Sequence, residues 1–421
     1  MKKKIKYIIF LFLIIIIVLI SFFVRKNYER KEYEESIVNK INDIKSHYSD
    51  IVKTNKACTI YIFTNDKYEE AGMIGKDVIL SLKDIEINKD TKYFVITSFE
   101  EEYYVLYDDV DIYNDNNLAE DRYKKYIPFN ENIVTDNITE FYDDNNNLIY
   151  KFNKSFNLPI IIKDDDGYFA EYNNRLFKIK KDNVKEVVEN NNTDLEIAKN
   201  IRAIAYHAFY DPSDESEKWC RTAICHPVNQ IEEESKYLKE NDYFTLTTKE
   251  LNMFIDGKIN LPKKSIMITI DDGLLAERGL DILVKYELNA TLFLITKTYK
   301  PELFTDSKYI EYHSHGNDLH NVGTCPGGQG GGIKCLDKET LINDLKTSSE
   351  ILHGSTVFCY PFYEYNNYSI GVLKEAGYTM AFAGCIGSCK VNTKTNKYII
   401  PRYTITSDVT LDKFISIIKW F

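Results

Sequence analysis

Beyond about residue 197, short apolar runs and helical stretches take turns, and this alternation constrains the fold more than any other feature of the chain. Ile201–Tyr206, Ile266–Ile270, Thr291–Ile295, Val357–Tyr360 and Tyr378–Phe382 have the length and the β-branched or aromatic content of strands. Between them Gln230–Glu240, Glu277–Tyr286, Thr340–Leu352 and Tyr368–Ala376 read as helices, the last stopped by Gly377. A βαβα order implies a parallel sheet or barrel. Its chemistry belongs where strands end and loops begin.

One strand end carries more than the others. Ser265-Ile-Met-Ile-Thr-Ile270 is nearly all apolar or β-branched, then stops on Asp271-Asp-Gly273. Asp-Asp-Gly is ordinary turn chemistry, but two like charges at the end of a buried strand are costly to hold. Of the seven histidines, His207, His226, His313, His315, His320 and His353 all follow residue 197. Three are packed into Glu311-Tyr-His-Ser-His-Gly-Asn-Asp-Leu-His320. His315 and His320, five apart, would stand about 140° from each other on a regular helix. They can face one ion only from a loop or a distorted turn, and Gly316, Asn317 and Asp318 mark one. One Asp oxygen and two imidazole nitrogens make a three-ligand set for Zn²⁺ or a similar ion, with a position left for water.

Thr269-Ile-Asp-Asp-Gly273 followed by Ser314-His-Gly-Asn-Asp-Leu-His320 resembles the polysaccharide deacetylases of the NodB-homology type (carbohydrate esterase family 4), over roughly residues 197–421. The resemblance implies a distorted (β/α) barrel, with Asp271 as catalytic base and Asp272 as metal ligand. The five-residue spacing is similar to that of exported poly-N-acetylglucosamine deacetylases of biofilm systems, which implies His315 and His320 as the other ligands. Cys359-Tyr-Pro-Phe362 stands at the third motif, where the Phe362 backbone N–H would serve the oxyanion. Cys359 occupies the place of an arginine that holds the base, and Arg402 in Ile400-Pro-Arg402 is the proposed substitute. The usual C-terminal Leu-x-His is missing. Ala205-Tyr-His207 matches the biofilm-type arrangement instead and makes His207 the candidate general acid.

The implied reaction is metal-dependent removal of acetyl groups from N-acetylglucosamine residues of peptidoglycan or an exopolysaccharide, with Zn²⁺ expected and Co²⁺ or Ni²⁺ as alternatives. Two rivals stay open from the residues: a catalytically silent wall-binding protein, and an O-deacetylase of acetylated polysaccharide.

The 421 residues, 44% of them hydrophobic, suffice for two or three domains. A net charge of -11 gives nucleic-acid binding no electrostatic support. Lys2, Lys3, Lys4 and Lys6 precede an apolar run from Ile8 to Val24 broken only by Ser21, and no small-x-small cleavage site follows. This predicts an uncleaved single-pass membrane anchor over residues 1–24. Residues 25–55 read as a stalk with Ile37, Ile41, Ile44, Tyr48 and Ile51 along one helical face.

Residues 56–188 change to short alternating strands such as Thr59–Phe63, Tyr93–Thr97, Tyr103–Tyr107, Leu158–Ile162, Gly167–Tyr172 and Leu176–Ile179. Two halves, each ending in an aromatic hairpin across an acidic turn (Glu100–Glu102 and Asp164–Asp166), resemble tandem SH3-type barrels. Such modules either bind the wall or act as a spacer. Asn190-Asn-Asn-Thr193 falls in a linker over 189–196.

Cys220/Cys225, Cys325/Cys335 and Cys385/Cys389 lack the Cys-x-x-Cys spacing of a structural zinc site. Short-range disulfides are expected, with the catalytic domain outside the cell. His226, His313 and His353 read as structural or surface residues. The glycine-rich Thr324–Cys335 reads as a loop clipped beside the metal, Trp219 as a residue for stacking on sugar, and Trp420 as packing in a terminal helix.

Overall fold

The computed structural model describes residues 2–45, 52–88, 91–98, 101–113, 122–172, 175–190, 196–220, 224–387 and 389–419. They divide into two compact units. The first contains helix α1 (Lys2–Lys45), which includes the run Ile8–Val24. Among the described residues no helix is long and apolar enough to cross a membrane. The side chains of residues 2–14, which carry the first half of that run, lie outside the described set. Of the expected stalk face only the Ile37 side chain is described, and it is buried.

The rest of the first unit is antiparallel β-structure built twice. Val52–Thr54 pairs with Ile79–Leu80 and Val110–Ile112, and Glu131–Thr135 pairs with Asn157–Pro159 and Val184–Glu189. In each set a 3₁₀ turn, Tyr107–Asp109 or Lys181–Asn183, leads into the last strand. Even the ties repeat: the Asn55 amide donates to the Asp109 carbonyl at 3.0 Å and the Asp136 amide to the Asn183 carbonyl at 3.2 Å. Glu101 and Glu102 open the strand that pairs with Thr91–Ser98, and Asp164–Asp166 lead into Gly167–Tyr172, which pairs with Arg175–Lys180.

The second unit takes residues 190–421 together with Arg122–Asn130 and Ile161–Asp164, two segments that the sequence reading assigned to the β region. Ile127 and Ile162 form bridges with Asn260 and Ile259, and Arg122 is ion-paired with buried Glu250. Most of the expected linker, residues 191–195, lies outside the described residues.

Seven strands close a parallel barrel. They are β1 (Ile201–Tyr206), β2 (Ser265–Ile270), β3 (Ala290–Leu294), β4 (Ile310–Ser314), β5 (Val357–Cys359), β6 (Met380–Gly384) and β7 (Ile400–Thr404), with β7 and β2 both paired to β1. Helices α2 (Val228–Glu240), α3 (Thr248–Ile255), α4 (Glu277–Lys285), α5 (Lys338–Ile351), α6 (Asn367–Glu375) and α7 (Leu411–Ile418) accompany it.

The period-two rule of strands explains both cores. Ile266, Ile268 and Ile270 pack with Leu280 and Leu283 of α4 and Phe414 of α7. Met267 packs with Ala203, Phe293, Cys359 and Phe382 from strands around the barrel, which fills its interior. Thr269 and Asp271 share the parity of Met267, so the carboxylate of Asp271 emerges on the inner side.

Two barrel strands escaped the sequence reading, β4 and β7. β4 carries Glu311, His313 and Ser314 where an apolar strand signal would be looked for. Its polar side chains bond neighbouring elements instead: Glu311 accepts the Thr248 amide at 2.7 Å, and His313 lies 3.1 Å from Thr248 Oγ1 and 2.7 Å from Ser355 Oγ. Burial pulls the His313 imidazole down to about 4. Helix α3 was also missed, although Thr247 and Glu250 form a capping box at its start. The sixth strand begins at Met380, two residues later than expected.

Gly279 in α4 shows how tightly helix meets barrel. A Cβ there would stand 2.2 Å from the ring of fully buried Phe209. Gly279→Ala should therefore destabilise the protein by on the order of 1 kcal/mol, overpacking of about 1–3 kcal/mol outweighing a helix-propensity gain of about 1 kcal/mol. Calorimetry showing an equal or higher melting temperature would refute this close approach.

Candidate metal and hydrolase site

The site residues come from the C-terminal ends of the barrel strands. His207 follows β1, Asp271 and Asp272 follow β2, His315 and His320 follow β4, Cys359 closes β5, and Arg402 lies within β7. Phe362 lies in the turn after β5. All seven residues predicted from sequence are found here.

Asp271 is 1% exposed and Arg402 0% exposed, so neither charge can lean on water. Arg402 donates to both oxygens of Asp271, Nη1 to Oδ1 at 2.6 Å and Nη2 to Oδ2 at 2.8 Å. It also donates to Thr269 Oγ1 at 2.9 Å. Burial works to raise the pKa of Asp271, but this two-pronged guanidinium contact outweighs it and holds the carboxyl well below the usual carboxylate range. Cys359 Sγ stands 2.9 Å from Arg402 Nη2 and 3.4 Å from Asp271 Oδ2. The base-holding cation is thus on β7, and a thiol fills the place beside it. His207 Nε2 lies 3.9 Å from Asp271 Oδ2, and its buried Nδ1 has no hydrogen-bond partner among the described residues.

Asp272 differs from its neighbour. With φ of 73° it leaves the strand in the left-handed region. Its Oδ1 stands 3.3 Å from Nε2 of His315 and 3.3 Å from Nε2 of His320. His315 Nδ1 is 2.9 Å from the Cys359 carbonyl oxygen, which can only accept, so Nδ1 carries the proton. The Nε2 lone pair is thereby left for a ligand, the usual outer contact of a metal-binding imidazole. The Phe362 ring lies against His320, centroids 4.1 Å apart.

Residues 258–381 match the polysaccharide deacetylase family. Over that segment the chain is similar to the polysaccharide deacetylases. The matched stretch of the barrel holds Asp271, Asp272, His315, His320 and Phe362, but neither His207 nor Arg402. Among curated relatives, YxkH of Bacillus subtilis (strain 168), assigned by name to the polysaccharide deacetylases, is 26% identical over 159 residues, 37% of this chain and 57% of YxkH. The chain thus spans little more than half of that relative's length. Among solved structures, the Streptococcus pyogenes deacetylase PplD is 15% identical over 52% of this chain and 98% of its own, with a TM-score of 0.43. IcaB from Ammonifex degensii is 18% identical over 53% of this chain and 98% of its own, with the same TM-score of 0.43.

Among the described residues two groups bring ligand atoms within 4.8 Å of one another: Asp272, His315 and His320, and Asp271, His315 and Cys359. Only the first fits a cation. Among the described residues Asp272 Oδ1 is buried without a hydrogen-bond partner, and it faces the Nε2 atoms of two imidazoles that a cation would share with it. In the second group Arg402 already saturates Asp271 and faces the sulfur, so a metal ion would be set against a guanidinium.

Cys359 and Thr269 are partners of the ion pair that sequence reasoning quoted within motifs without giving their side chains a role. Glu364 was missed outright, because its contacts are to backbone amides more than thirty residues away. The three disulfides Cys220–Cys225, Cys325–Cys335 and Cys385–Cys389 are formed as paired from spacing. Cys58 and Cys359 are buried free thiols. Trp219 is exposed; Trp420 lies outside the described residues.

Removing Arg402 tests the ion pair. In metal-free protein, Arg402→Met strands a buried charge and should cost about 3–5 kcal/mol, part of which Asp271→Asn in the same chain restores. The folded carboxyl titrates below its unfolded value near 4, so the wild-type pair's contribution is complete above about pH 4 and drains away as pH falls further. In Arg402→Met the unpaired carboxyl is raised by burial, so acidification should stabilise the variant relative to wild type. Denaturant titrations from pH 3 to 7 that run parallel for the two proteins would contradict the assignment.

Proposed function

We propose that the C-terminal unit is a metal-dependent hydrolase that removes acetyl groups from N-acetylglucosamine residues of a peptidoglycan or exopolysaccharide chain. One observation carries this reading: an orphaned Asp272 oxygen facing two imidazole nitrogens, next to a carboxylate that Arg402 keeps charged. The resemblance of the surrounding motifs to polysaccharide deacetylases supports the substrate class.

Asp272, His315 and His320 hold the cation, Zn²⁺ in this reading. When bound, such an ion polarises a carbonyl and acidifies water at neutral pH. Asp271, ionised and fixed by Arg402, takes the proton of the attacking water. The Phe362 amide donates to the oxygen that gains charge as the carbonyl carbon becomes tetrahedral. His207, close to Asp271, delivers a proton to the amine nitrogen as the C–N bond breaks, giving acetate and a free amino sugar. Each amine released becomes cationic, so the polymer's charge rises by one per acetyl removed.

The same reading places the chain at the cell membrane, anchored by the Ile8–Val24 run, with the barrel on the outer side. Three disulfides in one unit support an oxidising compartment.

The full-length protein should release acetate from N-acetylglucosamine oligomers or purified wall, stop after chelation, and resume on Zn²⁺ addition. No acetate from any glycan under any metal would end the proposal; release only from O-acetylated polymer would move it to ester substrates. Asp272→Ala and His315→Ala should each lose bound zinc. His207→Ala should keep zinc while turnover falls about 10²–10⁴-fold, the range expected for a general acid; full turnover would remove His207 from the mechanism.

A further inference from the structure

The glycine-rich stretch Thr324–Cys335 has no phosphate-binding context, yet it is closed by a disulfide and follows His320 directly in the chain. Two of its five glycines, Gly328 and Gly331, face one side chain, Glu364. Glu364 Oε1 accepts the Gln329 amide at 2.6 Å, Oε2 accepts the Gly331 amide at 2.8 Å, and Lys334 Nζ lies 2.7 Å from Oε2. A Cβ on Gly328 would stand 1.8 Å from Oε1, and one on Gly331 would stand 3.3 Å from both Oε2 and the Phe362 ring. At Gly328 and Gly331 a carboxylate and an aromatic ring press against the backbone, and glycine leaves them room.

Glu364 ends a turn that would not persist unaided. Phe362 and Tyr363, at φ of 57° and 60°, are consecutive non-glycine residues in the left-handed region. Such backbone survives only when its surroundings over-determine it. On one side Tyr363 is held: its hydroxyl lies 3.0 Å from Thr404 Oγ1, and its ring fills the space where a side chain on Gly384 would stand. The other side is held by Glu364 and the loop. Phe362 precedes these two grips directly, and its ring packs on His320.

We infer that Glu364 is a positioning residue of this site: it seats the Cys325–Cys335 loop against Phe362, and so holds the Phe362 ring on His320 and the Phe362 amide in its left-handed turn. The part that concerns turnover rests on the hydrolase reading; the grip on His320 stands on geometry alone.

The test uses the full-length protein with Glu364→Ala and Gly328→Ala, the second pushing the carboxylate away without altering it. Zinc affinity is measured by competition with a chromogenic chelator, and acetate release gives kcat and KM. Both variants should bind Zn²⁺ about tenfold more weakly, as loss of an outer contact does, and lose about tenfold in kcat with KM near wild type and a lowered melting temperature, Gly328 lying at φ of 58°. Glu364→Gln, which keeps one acceptor oxygen but not the charge facing Lys334, should fall between. Zinc affinity within about twofold of wild type in both Glu364→Ala and Gly328→Ala would overturn the inference. Absence of acetate release by the wild type would instead bring down the hydrolase reading, and the zinc measurement would still decide the role of Glu364.

Discussion

A carboxylate sealed from water stays ionised only beside a cation, and the barrel is arranged to bring one to Asp271. Arg402 comes from β7 and Asp271 from the end of β2, while β1 lies between those strands and pairs with both. The contact therefore reaches across an intervening strand at the barrel's closure. Ala203 and Ala205 of β1, both fully buried and small, leave room for the guanidinium. Either charge without the other would be a buried liability, so closing the barrel and poising the base are one event.

From that constraint follows a division of labour between adjacent aspartates. Asp271 continues the strand's inward parity and is saturated by Arg402, with Cys359 beside it. Asp272 breaks into the left-handed region and keeps a buried oxygen unspent. Two neighbours of identical chemistry thus acquire opposite roles, one a paired base and one a ligand, through the partners each one meets. The histidines are ordered the same way. His315 is locked by the Cys359 carbonyl at the end of β5 and His320 by the Phe362 ring in the turn after it.

Much of this was visible in the residues themselves. Ser265–Ile270 reads as a strand because period-two burial on both faces demands an unbroken apolar run, and its charged end then has to be explained. His315 and His320 were assigned to a loop because five residues do not fit one helical face, and they do lie in the loop after β4. The strand β4 itself was invisible: Glu311, His313 and Ser314 are satisfied by Thr248, Ser355 and Ser348, partners that no local pattern announces. Nor could strand periodicity show that segments 122–130 and 161–164 join the barrel unit through isolated bridges to Ile259 and Asn260.

The amino-acid sequence alone determined the alternating architecture, the ligand types and the expectation of short-range disulfides, since these depend on local periodicity, side-chain chemistry and short chain separations. It also supplied Arg402 as a candidate, as a substitute for the arginine that the family resemblance implies. The folded chain decided that Arg402 meets Asp271 over a separation of more than a hundred residues, which cysteines pair, and that a glycine loop is gripped by Glu364. Those outcomes depend on which strands close the barrel and on backbone amides whose direction no residue name encodes.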